Sequence, residues 1–241
     1  MQDALKQLKI VPVQTMEYGA CLALQRRLHA RVVQGGPAGY VILVEHPPVL
    51  TFGKHADKAN LLFSPDYYER LGVALVDTDR GGEVTAHVPG QLVIYPILRL
   101  ADYQLTPRRY VDLLEQVVTR VLASFGLVGM KDPEHPGVWV GRDKICAVGV
   151  RIKDRVSMHG IALNVCNSLD LFAKIVPCGI FGRGVTSLSR LADLPISVDE
   201  VAPRLISELV RGLGYEETEG RDCAGLQWLS GDLMIEDRDI S

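Results

Sequence analysis

The chain lacks an excess of positive charge, a paired CxxC motif and any long apolar run. Its 26 Lys and Arg face 29 Asp and Glu, a formal net charge of −3, so the basic field that drives nucleic-acid binding is missing. Five cysteines, at 21, 146, 166, 178 and 223, are odd in number and scattered. Neither a structural zinc site nor a disulfide framework is expected. No apolar stretch reaches the roughly 20 residues of a membrane span. The opening residues, Met1 to Lys6, lack the charged-then-apolar pattern of a secretory signal. With the unpaired cysteines, this leads us to expect a reduced, cytoplasmic setting. What is present is hydrophobic mass: 47% of 241 residues, enough for one large core or two small ones.

Strand and helix signals follow one another without a repeat or a low-complexity linker. Thr15 to Val33 reads as a helix, with Thr15 as its cap and Gly35-Gly36 as its stop. Tyr40–Glu45 is a short continuous apolar run, as in buried strands. Gln91–Leu98 reads as a strand too. Pro96 has no N–H for a ladder, which places it at a sheet edge or near the strand's end. Thr106 and Pro107 open a helix with apolar residues at 110, 114, 117, 118, 121 and 125 before Gly126. Lys144–Ile152 and Val156–Val165 flank Lys153-Asp154-Arg155 as a β-hairpin. Ser197 and Glu200 form a capping box for a last helix, which Pro203 should kink or delay. Without strict βαβ alternation, the fold class is α+β, a mixed or antiparallel sheet with flanking helices. We expect one domain over residues 1–220 and a loosely ordered acidic tail over 221–241.

Cys178 is the most informative single residue. It sits between Pro177 and Gly179, where proline fixes one backbone angle and glycine frees the next. A thiol on such a turn is available to react, whereas a thiol on an apolar stripe is packing. Cys146, inside Ile145–Val150, reads as core, and Cys166, after a strand end, as packing. Lys144 follows the turn Gly141-Arg142-Asp143 and enters the same apolar run. Most lysines are solvated, but a partly buried one there would have an altered pKa. The densest segment is Arg80-Gly81-Gly82-Glu83-Val84-Thr85-Ala86-His87 with Pro89-Gly90-Gln91. Its paired glycines allow backbone N–H groups to approach a ligand closely. The alternative is a glycine-rich hairpin whose His87 bonds a backbone carbonyl. His159 is either a polar strand residue with an ordinary partner or a ligand contact, and Gly160 marks a bulge or a close backbone approach. Gly179, Gly182 and Gly184 follow no strand of a βαβ unit, and no GxxxxGK[ST] loop exists. His87, His159 and Cys178 have no metal-ligand spacing.

Taken together, these segments resemble the lipoyl(octanoyl) transferase family. The resemblance covers roughly residues 40 to 190. It rests on Glu45-His46-Pro47-Pro48-Val49, the Arg80–His87 segment with Pro89-Gly90-Gln91, and Lys144-Ile145 with Val148-Gly149. His159-Gly160-Ile161-Ala162-Leu163-Asn164, Pro177-Cys178-Gly179 and Val185-Thr186-Ser187-Leu188 complete it. It implies the biotin/lipoate protein ligase catalytic-domain fold and an acyltransferase of lipoate assembly. The implied donor is octanoyl-acyl carrier protein. The implied acceptors are lysines on the lipoyl domains of 2-oxoacid dehydrogenase E2 subunits and on the glycine cleavage H protein. Cys178 would take the chain as a thioester and Lys144 would tune that thiol. Arg80–His87, Ala147-Val148-Gly149 and Gly160-Ile161-Ala162 would line the acyl site, with His159 and Gly179 in support. Backbone N–H groups near Gly179 and along Gly160–Ala162 are candidate oxyanion donors. No cofactor, metal, nucleic acid or membrane is implied, and a monomer is expected. Ala86 stands where the family usually carries an aromatic residue and Val88 where it usually carries glycine; both are expected to touch the pocket wall. An ATP-dependent lipoate or octanoate ligase on the same fold, and a non-catalytic acyl- or lipoyl-binding module, stay open.

Overall fold

The computed structural model describes residues 7–176, 183–215 and 226–228. Cys178 and Gly179 lie outside them, as does most of the expected tail. In chain order the elements are β1 (Leu8–Thr15), α1 (Tyr18–Val33), β2 (Gly39–Glu45), β3 (Val49–Phe52), α2 (Pro65–Arg70), β4 (Ala74–Asp77), β5 (Val84–His87) and β6 (Gln91–Leu98). Then follow α3 (Pro107–Ala123), β7 (Met130–Lys131), β8 (Gly137–Val140), β9 (Asp143–Lys153), β10 (Val156–Asn164), α4 (Leu188–Ala192), α5 (Val198–Gly212) and β11 (Leu226–Trp228). Eight strands form one mixed sheet in the order β11-β1-β2-β6-β10-β9-β8-β7, and β4-β3-β5 form a small second sheet. β11, drawn from the tail, runs parallel to β1.

Helices cover both faces of the large sheet, which explains its continuous apolar strands. Along β2, Tyr40, Ile42 and Val44 pack with Leu24 and Leu28 of α1. Val41 and Leu43 alternate to the other face, against α3 and α5. β6 divides in the same way. α3 is capped by the Thr106 hydroxyl, which accepts from the Arg109 N–H, with Pro107 in its first turn. The β9–β10 hairpin turns at Asp154 and Arg155, both with positive φ. α5 has the expected capping box and starts at Val198, so Pro203, exposed inside the helix, does not delay it.

Two expectations are corrected. Thr15 is not a helix cap. It ends β1, paired with Glu45, and α1 begins at Tyr18 behind Glu17, which makes no side-chain cap bond. The sheet ladder claims the residue that could have capped. Cys166 is exposed rather than packed. Pro96 stands two residues before the end of β6, as expected, but β6 is a central strand, between β2 and β10. The sheet accommodates it by releasing β10, since the β6–β10 ladder ends at Ile94 with Ile161. His159 takes a left-handed φ of 56° and gives its N–H to Gln25 Oε1 of α1 at 2.9 Å. Gly160 cannot carry a side chain, because a Cβ there would lie 2.1 Å from the Ile94 oxygen and 2.8 Å from the proline ring. Ser157 closes the gap: its hydroxyl donates to Pro96 O at 2.7 Å and accepts from the Leu98 N–H at 3.0 Å.

Ser157→Ala would leave that buried N–H without its acceptor. The expected loss is about 1–3 kcal/mol of unfolding free energy, read from urea denaturation. A change below about 0.5 kcal/mol would show that Ser157 does not repair the ladder.

Candidate active site

A cavity of about 320 Å³ opens between the β9–β10 pair and the Arg80–His87 segment that leads into β5. Val84, Val93, Ala147, Val148, Ile161 and Ala162 give it apolar walls. Exposed Glu134 and Pro136 and half-buried Lys144 stand at one end. Buried Tyr18, Arg80, Tyr95 and His159 stand at the other.

Arg80 is buried, and its guanidinium is held by oxygens of the hairpin around it. Nη2 donates to Thr51 O at 2.6 Å and Glu83 O at 2.8 Å, and Nη1 to Gly81 O at 3.0 Å. Gly81 gives its own N–H to Val150 O of β9, which ties the small sheet to the large one. Gly53 leaves no room for a Cβ, which would meet Gly82 O at 2.1 Å. Of the paired glycines, Gly81 packs close to Val150 O, 3.3 Å from where its Cβ would lie, and Gly82 takes a left-handed φ of 85°.

Three histidines line or back the closed end, and burial holds all of them towards the neutral form. Gln91 Nε2 donates to Ala86 O and Asn164 Oδ1, so its Oε1 must accept from His87 Nδ1–H at 2.8 Å. Full burial, with help from His46 nearby, drives the His87 pKa well below its usual value. His46 Nδ1–H donates to Met16 O at 2.6 Å, which leaves Nε2 to accept from the Tyr95 hydroxyl at 2.9 Å. Burial lowers its pKa to about 4. His159 Nε2–H donates to Asp79 Oδ1 at 2.7 Å, and Arg151 pairs with the other Asp79 oxygen at 2.5 Å. Burial lowers the His159 pKa and the Asp79 bond restores part of it. Burial raises the Asp79 pKa, but His159 and Arg151 outweigh it and leave the carboxyl low. Tyr18 stacks on His87 with ring centres 5.7 Å apart, and burial pushes its hydroxyl up to about 12.

At the open end, Lys144 Nζ donates to Pro136 O at 3.2 Å and lies 4.7 Å from the centre of the Trp139 ring, which Arg183 also contacts. The Lys144 N–H donates to Gly184 O at 2.9 Å and its carbonyl accepts from Thr186 N–H at 3.0 Å. The other cysteines near the sheet are unsuited to nucleophilic work. Cys146 is in the core with its thiol pKa pushed far up by burial, and Cys21 is raised to about 12 for the same reason.

Of the candidate residues, Arg80–Thr85, His87, Lys144, Ala147–Gly149 and His159–Ala162 converge on this cavity. Ala86 does not. It packs in a cluster with Leu50 and Phe52, which Val88 joins. The two departures from the family pattern thus fill the core behind the wall. Ile161 and Ala162 pair with both β6 and β9, so the sheet takes their N–H groups and they cannot serve as oxyanion donors. Tyr18, Tyr95 and Asp79 were not found by sequence reasoning. Tyr95 shares a strand face with Val93, a signal available in the alternation of β6. Asp79 meets His159 only through the fold. Among the described residues, no group of three or more His, Cys, Asp or Glu could hold a metal, and no helix is long and apolar enough to cross a membrane.

The family described as the lipoyl protein ligase A/B catalytic domain matches residues 17–210. The chain is 42% identical over 217 residues to an octanoyltransferase of Syntrophobacter fumaroxidans, which covers 90% of this chain and 95% of that protein. It is 47% identical over 196 residues to one of Chloroflexus aurantiacus, covering 80% and 87%. Among solved structures it is similar to lipoate-protein ligase A bound with ATP, with a TM-score of 0.69, 16% identity, and coverage of 91% and 90%. It is also similar to a bipartite lipoate protein ligase of Thermoplasma acidophilum, with a TM-score of 0.66, 14% identity, and coverage of 92% and 89%. At these identities the structural likeness is one of fold.

The low pKa of His46 has a testable sign. Unfolded, the ring takes up a proton as pH falls through about 6.5; folded, it resists until about 4. Its contribution to stability is therefore full above pH 6.5 and is lost towards pH 4, by up to roughly 3 kcal/mol. The His46 ring protons should show no NMR titration above pH 5. A midpoint near 6.5 would contradict the buried hydrogen-bond assignment.

Proposed function

The chain belongs to the lipoyl protein ligase A/B catalytic-domain family, and on that footing we propose that it is an octanoyltransferase of lipoate assembly working through a Cys178 thioester. The observation that carries this reading is a half-buried lysine, Lys144, at the open end of an apolar cavity, in a chain whose relatives are octanoyltransferases. Octanoyl-acyl carrier protein is the proposed donor. The proposed acceptors are lysines of lipoyl domains, on E2 subunits and on the glycine cleavage H protein. The enzyme would act as a cytoplasmic monomer without a cofactor.

The chemistry follows from acid–base balance. A free thiol has a pKa near 8.5 and is only a few per cent ionised at pH 7. An ammonium on Lys144 favours the thiolate, and each pKa unit corresponds to about 1.4 kcal/mol. The Cys178 thiolate attacks the donor's carbonyl carbon. The carbon–sulfur bond to the carrier breaks, and the departing sulfur takes a proton from Lys144. Neutral Lys144 then accepts the proton from the incoming lysine amine as it attacks the acyl-enzyme. An amide forms, and Cys178 leaves as the thiolate. Thioester exchange is nearly thermoneutral and transfer to an amine is downhill, so no ATP is needed. Burying about seven methylene and methyl groups in the cavity contributes about 5 kcal/mol, at ~0.8 kcal/mol each.

Incubation with octanoyl carrier should give one acyl adduct on Cys178 by mass spectrometry, and none in Cys178→Ser. An adduct that persists in the serine variant, on exposed Cys166, would overturn the assignment. So would full turnover with octanoate and ATP but none with the carrier, the behaviour of a ligase. Lys144→Ala should slow both half-reactions, by roughly 10²–10⁴-fold. Unchanged rates would remove Lys144 from the mechanism.

A further inference from the structure

Glu115 is a buried carboxylate that the steps above leave unused. It lies on α3, 5% exposed, and faces the β8–β9 edge of the sheet. Its Oε1 accepts the N–H of Gly137 at 2.9 Å. That N–H belongs to the peptide unit joining Pro136 to Gly137. The carbonyl of the same unit, Pro136 O, accepts from Lys144 Nζ at 3.2 Å. The chain has no cis peptide among its described residues, so the N–H and C=O of this unit point in opposite directions. One peptide plane thus stands between carboxylate and ammonium, with an anion on its donor and a cation on its acceptor. Both charges polarise the amide in the same sense, and each hydrogen bond strengthens the other.

Packing holds this arrangement in place. Gly137 has φ +139°, and a Cβ there would lie 2.6 Å from Cys146 O and 3.2 Å from Lys144 Cε. The lysine stem therefore runs against a position that admits only glycine. The charges around Glu115 are Lys131 of β7 at 4.0 Å, Asp112 one turn earlier on α3, and Lys144 itself. Buried Cys146 adjoins from β9. Trp139, shared with Arg183, offers Lys144 its ring face. A carboxylate in this place is costly to bury unless it is paired and hydrogen-bonded. Burial raises the Glu115 pKa, and the Gly137 N–H, then Lys131, oppose that rise.

We propose that Glu115 is a positioning residue that acts on Lys144 through the Pro136–Gly137 peptide, fixing the ammonium at the cavity's open end. This rests on the reading of Lys144 given above. A purely structural Glu115 would satisfy the Gly137 N–H and nothing more.

The test compares octanoyl transfer from carrier to lipoyl domain in wild type, Glu115→Gln, Lys144→Ala and the double variant. Glutamine keeps the shape and the acceptor but loses the charge. Glu115→Gln should lower kcat roughly tenfold, a usual size for coupled neighbours, with donor KM unchanged. The double variant should be no slower than Lys144→Ala alone. Rates are taken per Cys178 that can be acylated, so poorly folded protein does not enter the comparison. Glu115→Asp, which keeps the charge, should recover most of the lost kcat. An equal slowing by Glu115→Gln in the wild-type and Lys144→Ala backgrounds, or no recovery in Glu115→Asp, would overturn the proposal while leaving the role of Lys144 standing. Full activity in Lys144→Ala would instead overturn the reading beneath it.

Discussion

The backbone of Lys144 is held on both edges, and the site depends on that grip. On one side Lys144 pairs with Trp139 of β8. On the other, β10 makes its last contact with β9 at Leu163 and Cys146, and residues 184–186 take the place it leaves. Two hydrogen bonds, Lys144 N–H to Gly184 O at 2.9 Å and Thr186 N–H to Lys144 O at 3.0 Å, form the join. The chain bearing Cys178 is fixed just before it, where the Val176 N–H donates to Asn60 O at 2.8 Å. Each such bond contributes only about 1 kcal/mol net. Together they return the chain that follows Cys178 to the strand that carries Lys144.

The two ends of the cavity obey opposite electrostatic rules. At the closed end, His46, His87 and Asp79-bound His159 are all kept towards the neutral form, chiefly by burial. At the open end, Lys144 rests on an aromatic ring and a carbonyl that suit a cation. The place of His159 follows from one sheet defect. Pro96 expels β10 from the ladder, His159 adopts a left-handed backbone, and its side chain becomes part of the cavity wall rather than a strand's packing face.

Elements whose local signals agreed with the fold were readable from sequence. The strand Gln91–Leu98, the capped helix after Thr106, the hairpin at Asp154-Arg155 and the capping box at Ser197 all stand where propensity and pattern put them. β1 was not readable, because Pro12 and a register shift between Val11 and Gln14 blur its alternation. Pro96 stands near the end of its strand as its missing N–H predicts, but that it lies inside the sheet was not legible, because the compensating Ser157 lies on another strand, a distant pairing that no local rule reveals. Most of the cavity wall was readable through its glycines and histidines. Asp79, Tyr18 and Glu115 were not, since their partners His159, His87 and Gly137 are neighbours only after folding. The motif assigns Ala86 to the wall, but it packs with Leu50 and Phe52 and does not line the cavity.

The coupling between lysine and thiol is tested most directly by the rate of iodoacetamide alkylation of Cys178 as a function of pH, in wild type and Lys144→Met. An ionised thiol supported by a neighbouring ammonium should titrate well below the ordinary value near 8.5, and the methionine variant should return it to that value or above. Identical titration curves in the two proteins would contradict a working pair.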